Sequence, residues 1–157
     1  MKNAKANKGM DAWKQSFVSK LDDARSHWSQ HFDNLLESVV APAFDEFGVF
    51  LQNHEFSSSQ PMKEPGSRSF KFELSENTYV LLMFRSTGLG SFELRSECFV
   101  PGRDSQNDKS DHRVSDLDDD WARGLFQAAL DAFVELLCGS QEQSYEESES
   151  FEELLAV

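Results

Sequence analysis

The stretch Thr78-Tyr79-Val80-Leu81-Leu82-Met83-Phe84-Arg85 decides how this chain reads. Its apolar residues fall on both alternating faces, Tyr79, Leu81 and Met83 on one, Val80, Leu82 and Phe84 on the other. Such a strand sits centrally in a sheet or is covered on both sides. Just before it, Phe70-Lys71-Phe72-Glu73-Leu74 alternates with a polar outer face, and Glu76-Asn77 supplies a tight turn. Just after it, Ser86-Thr87-Gly88-Leu89-Gly90 turns into a third strand. That strand sets Phe92, Leu94, Ser96, Cys98 and Val100 against Glu93, Arg95, Glu97 and Phe99. Pro101-Gly102 closes it. The result is an antiparallel meander with one packed and one largely solvated face. His112-Arg113-Val114 adds a short fourth strand at an edge, and residues 57–68 and 102–111 read as polar loops.

Upstream, Trp13, Phe17, Leu21, Ala24, Trp28, Phe32, Leu35, Val39 and Ala43 recur at steps of 4, 4 and 3. Eleven residues per three turns holds a stripe on one side of a straight helix. Pro42 ends or kinks that helix. A second segment carries Phe44, Phe47, Phe50 and Leu51 and stops near Asn53, a residue that tolerates left-handed backbone. Downstream, Asp116, Asp118, Asp119 and Asp120 cap a closing helix with the stripe Ala122, Leu125, Phe126, Ala129, Leu130, Phe133, Leu136 and Leu137. Gly139 is its expected C-terminal cap.

The expected fold is therefore α+β: a long N-terminal helix kinked or broken near Pro42, a meander of three to four strands, and a C-terminal helix packed on one sheet face. Residues 1–9 form a flexible arm, 10–140 a single α+β domain, and 141–157 an acidic tail. The tail holds six glutamates and no basic residue, a composition that favours disorder.

Net charge is −13, from 28 acidic and 15 basic residues. That excess repels phosphate backbones and anionic membranes, and it steers basic proteins inward. No apolar run reads as a signal peptide or a membrane span. The two cysteines, Cys98 and Cys138, lie in no CxxC motif and are expected to be buried, reduced thiols of a cytoplasmic protein. No cofactor motif is present.

Lengths also matter. A helix over residues 10–41 spans about 48 Å, whereas strands of about seven residues span only some 23 Å. Part of the aromatic stripe overhangs the sheet, and a homodimer through this helix would cover it.

Asp23, His27 and His31 lie four apart on one helical face, a workable metal set; the plainer reading is polar residues flanking the stripe. The candidate partner-binding residues are Trp13, Phe17 and Trp28 on the helix, and Arg95 and Phe99 on the solvated sheet face. A small amphipathic turn of the tail adds Phe151, Leu154 and Leu155. No nucleophile elbow or phosphate cradle is found. These features favour a non-catalytic acidic protein-interaction module. One alternative is an inhibitor that mimics nucleic acid. A second is a secretion chaperone, since the size, acidity and helix–sheet–helix order resemble the small acidic α/β secretion chaperones, with no shared motif. A third is a small-ligand binder or enzyme with its pocket between sheet and helices.

Overall fold

A computed structural model describes the backbone of residues 2–156 and the side chains of residues 8–139. The residues expected to form the arm, up to Asn7, and those expected to form the acidic tail lie outside the described side chains. The chain runs α1 (Lys2–Leu35), a π-helical turn (Leu36–Val40), α2 (Ala41–Gln52), then strands β1 (Ser57–Ser59), β2 (Lys63–Glu64), β3 (Ser67–Ser75), β4 (Thr78–Gly88), β5 (Ser91–Phe99) and β6 (Gln106–Arg113). A 3₁₀ turn (Val114–Asp116) leads into α3 (Asp119–Ala156). The α+β class and the element order match the sequence reading.

All six strands pair antiparallel in the order β1-β3-β4-β5-β6, with β2 also on the β3 edge. β4 is the middle strand, as its two apolar faces require. Asn77, with φ 62°, makes the expected turn between β3 and β4. The sheet is wider than expected. β6 replaces most of a presumed loop, and β1 and β2 occupy part of the other. Gln-Asn-Asp-Lys-Ser-Asp-His-Arg has no apolar alternation because β6 is an edge strand with almost every residue exposed.

Pro42 does not end the helix. The irregularity sits one turn earlier, where the Ala41 N–H reaches back five residues to the Leu36 carbonyl. This wider turn accommodates the proline ring, which would crowd the carbonyl four residues before it in a regular helix. It also shifts the stripe. The large side chains buried here are Phe32, Leu36, Val40 and Phe44, at a uniform step of four, with Ala41 and the expected Ala43 also buried; Leu35 and Val39 are only half-buried. A step of four suits a π turn, so the regular eleven-residue count fails at this point. Asn53 stays right-handed, and Glu55 takes the left-handed position instead (φ 69°). Gly139 lies inside α3 and does not cap it. Asp118 does cap: its Oδ1 accepts the Trp121 N–H at 2.7 Å.

The helices cover one sheet face. Phe126 of α3 is the hub, with the rings of Phe44, Phe47, Phe70 and Phe72 centred 5.8 to 6.0 Å away. Phe32 lies on Phe92 at 5.4 Å. Asp33 accepts the Gly66 N–H at 2.9 Å, and Glu37 accepts from the buried Arg68 at 2.7 Å. These two bonds fasten the end of α1 and the π turn to the start of β3.

Candidate functional site

α1 meets the body only near its C-terminal end. Trp28 is half-buried over the β4–β5 hairpin, where a Cβ on Gly90 would lie 3.5 Å from its ring. Gly90 itself holds φ 78°, which suits glycine. Before Trp28 the helix stands clear: from residue 8 to 27 only Leu21 and Ala24 are half-buried, and the rest are exposed. That projection spans about 30 Å. On it Trp13 and Phe17 stack with ring centres 5.3 Å apart, 59% and 50% exposed. Met10 and Val18 are each 53% exposed beside them. Scattered apolar residues are normal on a surface; here an aromatic pair sits within a continuous apolar row. Of the residues expected to bind a partner, Trp13 and Phe17 are bare, and Trp28 packs largely within its own chain.

The second surface is the sheet face that no helix covers among the described residues. Tyr79, Leu81 and Met83 of β4 lie on it, half-buried and outside the core cluster. Phe99 stacks on Tyr79 at 5.8 Å, and the Lys71 ammonium sits 4.5 Å from the Tyr79 ring. The Tyr79 hydroxyl donates to Glu97 at 3.0 Å. Burial, helped by Glu97, pushes this phenol above its ordinary pKa. The face therefore presents an apolar strip of four side chains, where sequence reasoning singled out Phe99 alone. The apolar outer alternation of β4 was the available signal.

Beside the strip, Glu93 is buried, 4% exposed, and takes three cations. Arg95 donates to one of its oxygens; Arg85 lies at 3.2 Å and Lys109 at 3.3 Å from the other. The Arg95 hydrogen bond holds the Glu93 carboxyl below the usual carboxylate range, outweighing the opposite push of burial. Arg95, expected to meet a partner, is thus half engaged internally. Glu93 looks ordinary in sequence because its three partners come from different strands or from two residues away.

A cleft of about 250 Å³ opens between α3 and the sheet. Val80, Leu82, Leu94 and Cys98 form its floor, Ala128, Ala129 and Ala132 one wall, and Gln106, Asp108 and Ser110 the other. Small α3 side chains facing a polar edge strand leave the gap. Burial raises the Cys98 thiol pKa, with Asp108 and Glu97 adding to it, so the thiolate is disfavoured. Cys138, expected to be buried, is exposed; neither cysteine is in a disulfide.

His27 and His31 stack with ring centres 6.2 Å apart. Among the described residues, no three His, Cys, Asp or Glu side chains, Asp23 included, gather into a set that could hold a metal. Phe151, Leu154 and Leu155 lie outside the described side chains. Among the described residues no helix is long and apolar enough to cross a membrane. Comparison of the chain with protein-family models, curated proteins and solved structures finds no match.

Proposed function

We propose that this chain is a non-catalytic module that binds other proteins, with the projecting half of α1 as its principal contact. The bare Trp13–Phe17 stack carries this reading. Two large aromatic rings side by side on a helix, 59% and 50% exposed, have the composition of an interface hot spot. The open sheet face, with Tyr79, Leu81, Met83 and Phe99, supports it as a second contact. A net charge of −13 draws basic proteins toward either surface and disfavours nucleic acid. A cytoplasmic setting belongs to the same proposal, since unpaired Cys98 and Cys138 suit a reducing compartment.

The test uses three baits in extract of the native host: the natural chain, Trp13→Ala/Phe17→Ala, and Arg95→Ala/Phe99→Ala. Proteins retained by the first and lost by the second are the expected outcome. Equal retention by all three removes both surfaces and the proposal with them. The cleft favours a second reading, a binder of small apolar ligands. Ala129→Leu would fill that cleft, so a ligand-induced rise in melting temperature seen with the natural chain and abolished by Ala129→Leu identifies this function.

A further inference from the structure

The geometry points to one occupant for the bare half of α1: the α1 helix of a second copy, running antiparallel about a twofold axis between Lys20 and Leu21. This rests on the interaction-module reading and names its partner. An axis at that point maps Trp13, Phe17, Ala24 and Trp28 onto one another and sets Leu21 beside Lys20. Trp13 falls opposite Trp28 of the second copy, and Phe17 opposite Ala24, a large ring against a small side chain.

The charges divide at the same point. Residues 8–20 hold Lys8, Lys14 and Lys20 against Asp11. Residues 21–33 hold Asp22, Asp23 and Asp33 against Arg25. Antiparallel copies therefore lay a basic half on an acidic half at both ends, and parallel copies would set like on like. The far end of each contact is also prepared. Leu89 at the β4–β5 hairpin tip is 52% exposed, next to the Gly90 on which Trp28 rests. It extends the apolar surface where Trp13 of the second copy arrives.

Size agrees with this. A large aromatic side chain buries roughly 150–250 Å² when covered. With Met10, Trp13, Phe17 and Val18 about half exposed in each copy, a pair approaches the roughly 1,000 Å² that a specific interface needs.

The experiment is sedimentation equilibrium on the full chain at micromolar concentration. The expected mass is twice the 17.9 kDa of one chain. Lys14→Glu/Lys20→Glu makes both halves acidic, and Asp22→Lys/Asp23→Lys makes both basic. Each variant alone pairs about tenfold or more weakly, and an equimolar mixture of the two recovers the dimer. Added salt weakens the natural pair. A monomeric natural chain, a dimer indifferent to both charge variants, or pairing that tightens with salt overturns the inference. A monomer whose bait still loses partners through Trp13→Ala/Phe17→Ala defeats self-pairing and leaves the module standing. A dimer and a set of captured proteins both untouched by that double variant defeat the two together.

Discussion

Residues 8–27 and residues 28–51 belong to one continuous run of helix with similar apolar spacing, yet they end in opposite environments. In the second half Phe32, Leu36, Val40 and Phe44 are covered by the sheet and α3. In the first, Trp13 and Phe17 stack on each other and stay half exposed or more. Periodicity states which side of a helix is apolar. It does not state what lies against that side, which depends on how far the sheet reaches. The sheet ends at the β4–β5 hairpin, under Trp28.

The sharpest way to break this contrast is substitution within the covered half. Phe32→Ala is expected to cost about 3–5 kcal/mol, because it empties a fully buried ring site. Chemical denaturation measures it, and a cost below 1 kcal/mol by the same order-of-magnitude reckoning would mean the site collapses freely. At the boundary, Gly90→Ala is expected to cost about 1–2 kcal/mol, set by its left-handed backbone. The Trp28 ring leaves ordinary contact distance there, so a larger loss would show that the ring cannot yield.

Acid acts next. The Glu93 and Glu37 carboxyls are both held below the ordinary carboxylate range by their hydrogen-bonded arginines, Arg95 and Arg68. Their stabilisation is complete above that range and fades as pH falls through the lowered pKa values. Stability measured from pH 6 down to about pH 3 should therefore decline, and Glu93→Gln should flatten part of that decline. An unchanged slope in Glu93→Gln would show that its three cations do not favour the charged form. The smallest effect belongs to the bare half. Trp13→Ala, at chain concentrations too low for association, should change stability by under about 0.5 kcal/mol. A cost comparable to that of Phe32→Ala would prove that its own chain covers Trp13 after all.

Legibility followed the same physics. β4 read correctly as the middle strand because its alternating faces are both apolar. The overhang followed from comparing helix length with strand length. Of β6 only the end, His112-Arg113, read as an edge strand; the rest was missed because an edge strand with solvent on most sides can be entirely polar. β1, with only Ser57, Ser58 and Ser59, has no pattern at all. The π turn escaped because an eleven-residue count and a step of four differ by only one residue between Phe32 and Leu36. The Glu93 cluster escaped because cross-strand register, not spacing along the chain, brings Arg85 and Lys109 to it.

The π turn means that α1 and α2 together hold one amino acid more than a regular helix of their length would need. Shortening the chain there, for instance by removing the exposed Ser38, lets the surplus disappear as the loop of backbone tightens. The bodies on either side then keep their mutual orientation, at the cost of setting the Pro42 ring against the carbonyl four residues before it. The same deletion at Asn34, outside that slack, has nothing to absorb it and swings the projecting rod by about 100° around its own axis.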